Sequence, residues 1–369
     1  MSTITTASFP KNNPSFVLQK IDEITFEERP IPVAGPGQVV VNIRATGICG
    51  SDVHYWRHGR IGHFICDGPM VLGHESAGIV ASVGEGVTTL KIGDRVALEP
   101  GVPCRMCEMC KHGKYNLCPD MAFAATPPYD GTLCNYYKHA ADYCYKLPDN
   151  VSLEEGALIE PLSVGIHASR RGEIKLGDRV FVFGAGPVGL LTAAAAKAAG
   201  AAHVTIADIS ESRVKFAKSY IADEVVHLTN KPPKDQDTNV FAKEEADRII
   251  RATGIQPADV VFDCTGVEVC VQMSVFLAKN NGKVVLVGMG PSVQSISVAD
   301  VSAREVDVRG VMRYCNTYPT AVEMLANGKV DLKSLVTHRY KFEDSLKAFE
   351  HVRAGLEGTI KVVILNDQE

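Results

Sequence analysis

The apolar run Arg179-Val180-Phe181-Val182-Phe183 passes without a break into Gly184-Ala185-Gly186-Pro187-Val188-Gly189. No other stretch restricts the fold of this chain so tightly. An apolar run without polar alternation reads as a strand buried on both faces. The spacing G-x-G-x-x-G after it asks for a tight turn, a backbone that a ligand can approach, and a helix packed hard against the strand. The Ala-rich text up to Gly200 reads as that helix, and His203-Val204-Thr205-Ile206-Ala207 as a second strand ending in Asp208. Taken together, these pieces predict a dinucleotide site, with phosphates on the helix N-terminus and the carboxylate accepting from ribose hydroxyls. A carboxylate there repels a 2′-phosphate, which favours NAD over NADP, and Arg213 is expected to lie against the adenosine ribose.

The alternation then continues. A helix is expected over Glu211–Tyr220, a strand over Glu224–His227, a helix over 242–252, a strand over 259–263 running into Cys264-Thr265-Gly266, and a strand over 283–288. Helices between parallel strands predict a doubly wound sheet. From about Arg304 the pattern is read as ending: a strand, helices near 320–326 and 343–354, and a last strand over 359–364 are expected to rejoin the N-terminal part of the chain. That part, from Ser15 to about Pro103, is strand-like text broken by Gly and Pro and predicts a small barrel-like β domain. The expected domains are therefore 1–163 with 305–369, and 164–304 inserted between them, with the chemistry in the cleft the two form.

Two runs in the β-rich part carry metal-binding chemistry. Gly47-Ile48-Cys49-Gly50-Ser51-Asp52-Val53-His54 and Gly73-His74-Glu75-Ser76-Ala77-Gly78 bring a thiolate, an imidazole and a carboxylate, which suit zinc. Ser51 and His54 are candidates for passing a proton to solvent. Further on, Cys104, Cys107, Cys110 and Cys118 have the spacing of a closed, four-thiolate structural zinc site. Glu160 stands in an apolar run and needs a partner, either a metal or a salt bridge.

Composition narrows the function classes. A net charge of -5 over 369 residues and a pI near 6.1 give no electrostatic footprint for nucleic acid or an anionic membrane. The first ten residues lack the basic start and apolar run of a secretory signal, and no window approaches a membrane span. Eleven cysteines, an odd number with four in one cluster, argue against a disulfide framework. A reducing, cytoplasmic location is expected.

Gly73-His74-Glu75 followed by Gly78, Gly84 and Val87 resembles the zinc pattern of the zinc-dependent medium-chain dehydrogenases, over nearly the whole chain. Within that superfamily the chain is most similar to the polyol dehydrogenases of the sorbitol and xylitol type. The supporting runs are Ala125-Thr126-Pro127-Pro128-Tyr129-Asp130-Gly131-Thr132-Leu133, Glu160-Pro161-Leu162-Ser163-Val164-Gly165, Arg313-Tyr314-Cys315-Asn316-Thr317 and Val336-Thr337-His338-Arg339.

The resemblance implies a GroES-like catalytic domain, a Rossmann domain, and reversible zinc-dependent, NAD-linked oxidation of a polyol. It implies Cys49 and His74 as catalytic zinc ligands, with Glu75 and Glu160 on the metal or on its water, and leaves open which glutamate ligates directly. Alcohol dehydrogenases of this superfamily carry a second Cys where this chain has Glu160, so a harder oxygen would make the metal a stronger Lewis acid. Implied substrate positions are Tyr55, Phe123, Glu160, Arg313 and Tyr314. Implied cofactor positions are Gly184, Gly186, Val188, Gly189, Asp208, Arg213, Val287, Met289, Val311 and Arg313. The four-cysteine run departs from animal sorbitol dehydrogenases and matches arabinitol dehydrogenases and some microbial relatives, which leaves the polyol open. The resemblance also implies a homotetramer first and a dimer second.

Overall fold

The strand Gln38–Gly47, rich in β-branched residues, is buried along almost its whole length because it has partners on both edges. It is the axis of the first of two units, made of the residues up to Glu160 together with those from Tyr318 onward; the second unit is Pro161–Thr317. The computed structural model describes residues 12–366. The Ser- and Thr-rich first ten residues, and with them the reading of no secretory signal, lie outside the described residues.

In the first unit the main sheet runs Cys144–Lys146, Arg95–Leu98, Glu75–Val83, Gln38–Gly47, Lys361–Leu365, Val336–Lys341, and Tyr136–Ala140 also pairs with Gln38–Gly47. Its pairing is antiparallel except between Val336–Lys341 and Lys361–Leu365. Two register shifts between Gln38–Gly47 and Glu75–Val83 insert extra residues, and such bulges bend and twist a pair toward the barrel form expected from the sequence. Val39, Val41, Ile43, Val80, Val96 and Leu98 fill one core cluster. Phe16, Leu18, Trp56, Phe349 and Ile364 fill another, to which the helices Gly50–His58 and Ser345–Ala354 contribute Trp56 and Phe349. The last strand thus ties the C-terminal segment into the N-terminal sheet, with Val363 opposite Gly47.

The second unit holds a six-stranded, all-parallel sheet in the order Glu224–His227, His203–Asp208, Arg179–Phe183, Ala258–Asp263, Ala278–Leu286, Asp307–Gly310. This is the doubly wound order, with the reversal beside Arg179–Phe183. Val180, Phe181, Val182 and Phe183 are all buried, as the unbroken apolar run predicts. One expectation is corrected here. The strand after Arg304 does not return to the first unit: Asp307–Gly310 pairs in parallel with Ala278–Leu286 after the short helix Val298–Ala303, so the unit runs to Thr317. Among the described residues no helix is long and apolar enough to cross a membrane.

Candidate active site and metal centres

The strand Gln38–Gly47 delivers the chain to Cys49, which stands at the N-cap of the helix Gly50–His58 in extended conformation. Three residues on, Asp52 turns back: its Oδ2 accepts from the Cys49 N–H at 3.2 Å and its Oδ1 from the Gly73 N–H at 2.9 Å. This is a capping-box arrangement with an acid at the third helical position. The same carboxylate lies 3.4 Å from His74 Nδ1, so one buried group orients both the cysteine backbone and the imidazole. Gly73 has φ +88°, and a Cβ there would stand 2.7 Å from the Leu133 side chain. Glu75 opens the strand Glu75–Val83 directly opposite Gly47, where a Cβ would come within 2.1 Å of Glu75 Oε2. The missing side chain at Gly47 makes room for the carboxylate.

One donor atom each from Cys49, His74 and Glu75 lie within 4.8 Å of one another. Glu75 Oε2 is buried and makes no well-angled hydrogen bond, its contact being an ion pair with Lys361 Nζ, and a buried carboxylate oxygen persists only against a cation. Thiolate, imidazole and carboxylate gathered within that span fit zinc. The Glu75 carboxylate also pairs with a buried cation, for Lys361 Nζ donates to Oε1 at 2.7 Å and to the Ile48 carbonyl at 2.9 Å, and contacts Oε2. Glu160 is buried at the start of the helix Ile159–Gly172 and stands outside this three-residue group, but its charge acts on Lys361.

Burial works to raise the Asp52 carboxyl, but His74 and the two backbone N–H groups outweigh it and hold the group below the ordinary range. For His74 burial works downward, and Asp52 overrides it to carry the imidazole well above its ordinary value. Ser51, His54 and Tyr55 follow on the same helix; Tyr55 is buried, and His54 faces solvent with its ring 4.6 Å from that of His58. Partial burial, and secondarily His58, lower His54. The Phe123 ring lies 5.8 Å from that of His74, in keeping with an apolar wall.

Cys104, Cys107, Cys110 and Cys118 form a second cluster, again with sulfurs within 4.8 Å. The Cys104–Cys110 and Cys107–Cys110 sulfurs are 4.0 and 3.4 Å apart, bracketing the roughly 3.7 Å edge of a tetrahedron with Zn–S bonds of about 2.3 Å. Backbone N–H groups point at the sulfurs, from Cys104 to Cys118 and from Cys107 to Cys104, each at 3.3 Å. Such donors stabilise thiolates, and those from Met106 and Cys107 pull Cys104 down to about 7. All eleven cysteines are free of disulfides. Four thiolates closing on one point fit a structural zinc.

In the second unit each glycine of the turn has its own reason. Gly184 takes φ +96°; a Cβ on Gly189 would stand 1.7 Å from the Gly184 carbonyl oxygen; and Gly186 is open apart from Arg213 Nη1 at 3.9 Å from a built Cβ. Val188 lies in the first turn of Pro187–Ala198, whose N-terminal N–H groups suit a pyrophosphate. Asp208 ends its strand with Oδ2 accepting from Ala185 N–H at 2.7 Å and Oδ1 from Ser210 N–H at 2.8 Å, so the acid is oriented by the glycine turn itself. Val287 and Met289 follow Ala278–Leu286, where Gly288 and Gly290 pack their backbone onto Gly266. Val311 N–H donates to Leu286 O, Arg313 adopts φ +49°, and Tyr314 is buried. All of these lie just past the carboxyl ends of strands, where doubly wound folds bind ligands.

Three residues that the motif reading did not assign emerge from the structure. Asp52 had a signal in its C-x-x-D spacing at a helix start. Lys361 had a weaker one, a lone cation in Ile360-Lys361-Val362-Val363-Ile364. Glu99 had none: it is buried beside the cysteine lobe and accepts from Tyr115 and Tyr145 hydroxyls at 2.7 and 2.9 Å.

Comparison with known proteins agrees with this geometry. The family model described as alcohol dehydrogenase GroES-like domain matches residues 35–149, and that described as zinc-binding dehydrogenase matches residues 187–327. A sorbitol dehydrogenase of Gallus gallus is 50% identical over 355 residues, 96% of this chain and 97% of that protein. A probable D-xylulose reductase A of Aspergillus clavatus is 50% identical over 353 residues, 95% of this chain and 96% of that protein. The solved structure of an Escherichia coli oxidoreductase of unknown specificity, involved in membrane biogenesis, superposes with TM-score 0.88 at 36% identity, over 97% of this chain and 100% of that one. With a β-rich unit bearing both cysteine-containing centres and a doubly wound unit bearing the glycine turn, the chain belongs to the zinc-binding dehydrogenase family.

Proposed function

We propose that this protein is a zinc- and NAD-dependent polyol dehydrogenase, interconverting a sorbitol- or xylitol-type polyol and its ketose. The observation that carries the reading is the convergence of a half-buried Cys49 with the buried His74 and Glu75, one donor atom from each within 4.8 Å of the others. Cys49, His74 and Glu75 hold the catalytic zinc in this reading, and Glu160 serves the metal's water or the substrate; Cys104, Cys107, Cys110 and Cys118 hold the structural zinc. Zinc held there would supply Lewis acidity that eases loss of the substrate's hydroxyl proton near neutral pH, and NAD would serve as the hydride acceptor.

The chain's own residues supply the rest. Asp52 orients His74, and the apolar Phe123 ring excludes water beside it. Ser51 and His54 carry the released proton outward, and the neutral form of His54 favoured by its surroundings is the form that accepts it. Tyr55, Glu160, Arg313 and Tyr314 hydrogen-bond the remaining hydroxyls, which penalises a simple alcohol that leaves them unpaired. Gly184, Gly186, Val188 and Gly189 receive the pyrophosphate, Asp208 and Arg213 the adenosine ribose, and Val287, Met289, Val311 and Arg313 the nicotinamide half. The first unit acts as the catalytic domain and the second as the nucleotide domain. The working form is a homotetramer in the cytoplasm, the location supported by eleven free thiols.

NADH formation with sorbitol, xylitol, L-arabinitol, threonine and ethanol, before and after chelation, tests the reading. Chelator-sensitive turnover of polyols over ethanol is the expected result, with L-arabinitol the leading rival because the four-cysteine lobe is complete. Zinc-loaded protein silent on all of them would favour an NAD- and zinc-binding regulatory or structural protein.

A further inference from the structure

We propose that Lys361 is a resident counter-ion of the Cys49, His74 and Glu75 centre, a positioning residue that holds the buried Glu75 carboxylate in place before a metal arrives and then shares it with the metal. The proposal rests on the reading of that centre as a zinc site.

Lys361 is 3% exposed and Glu75 1%. A buried ammonium and a buried carboxylate are each costly alone and persist when paired. The pairing is direct, through the Lys361 bonds to Glu75 Oε1 and the Ile48 carbonyl. It is also prepared by the backbone. Glu75 and Val363 both register opposite Gly47, on the two strands flanking Gln38–Gly47, and Lys361 stands two residues before Val363 on the same face of its strand, so the Glu75 and Lys361 side chains meet across a residue without a Cβ. A Cβ at Gly47 would stand 2.1 Å from Glu75 Oε2 and 3.0 Å from Lys361 Cε.

Charge balance gives the pair its purpose. The anionic groups acting on Lys361 are Glu75, Cys49 and Glu160. Zinc brings two positive charges to these three sites, and Lys361 brings the third. Without metal, Lys361 is the cation against which Glu75 is buried. With metal, the ion and the ammonium would share the carboxylate, whose two oxygens both lie against Lys361 Nζ in this structure.

Thermal unfolding of the full chain, stripped of metal and reloaded with zinc, tests this in wild type, Lys361→Met and Lys361→Gln. Met removes charge and hydrogen bonds together, whereas Gln keeps the hydrogen-bonding capacity. The four-cysteine lobe is common to all three proteins and cancels. Both variants are expected to lose about 10 °C when metal-free and less than half of that when zinc-loaded. Both are also expected to hold zinc about tenfold more tightly in competition with a chelator, because no lysine competes for Glu75. Equal losses in the two forms, or wild-type behaviour of Lys361→Gln, would overturn the counter-ion role in favour of packing or hydrogen bonding. Should the stripped variants not fold, zinc-driven folding supports the proposal, and failure to fold with zinc overturns it. Failure of the underlying reading shows separately, as a wild-type zinc content that Cys49→Ser leaves unchanged.

Discussion

Asp52 ties Cys49 and His74 into one arrangement through the Cys49 N–H and the His74 ring. An amide there keeps an acceptor for one backbone N–H but no longer offers charge to the imidazole. Asp52→Asn is therefore expected to weaken zinc binding at this centre by about 10- to 100-fold, read by chelator competition, with the fold retained by circular dichroism. Cys49→Ser goes further: turnover and the zinc of this centre are lost, while NAD still quenches protein fluorescence, since the glycine turn is made of residues 184–189. At this scale the sequence was legible where chemistry is rare. Cys49, His74 and Glu75 stand out as zinc-suited types, whereas Asp52 and Lys361 are ordinary charged residues whose importance comes from burial, which a residue type does not announce.

Among the elements, the cysteine lobe is fastened to the sheet through Glu99. Its carboxylate takes Tyr115 from the lobe and Tyr145 from the strand Cys144–Lys146, and the Arg105 guanidinium pairs with Asp142. Burial pushes Glu99 up from 4.5 to about 7 despite the two tyrosine hydroxyls. The folded chain thus holds a proton there that the unfolded chain has released, so stability falls as pH rises through that window. Glu99→Gln removes this slope: denaturation midpoints between about pH 5 and pH 8 are expected to change less than in wild type, by an amount worth at most about 3 kcal/mol. Element types were largely legible, because periodicity and glycine placement are local. Asp307–Gly310 was misassigned for a physical reason: as an exposed edge strand after a short helix with no buried residue, it lacks the apolar run that marks its five sheet partners.

At the scale of the whole molecule, one unit is contiguous and the other is assembled from two segments far apart in sequence. Ligand responses should divide accordingly. Gly189→Ala, whose Cβ would collide with the Gly184 carbonyl, is expected to weaken NAD by at least about tenfold. Zinc content, measured by metal analysis, should stay at the wild-type value. The sequence by itself determined the dinucleotide turn and the four-cysteine lobe, because each closes on itself within a short stretch, 179–208 and 104–118, and short loops are cheap to close. Only the tertiary structure decided what surrounds Glu75. The lysine that faces it lies 286 residues away, and its arrival depends on one strand register among several, a choice made by the packing of the finished sheet rather than by local sequence.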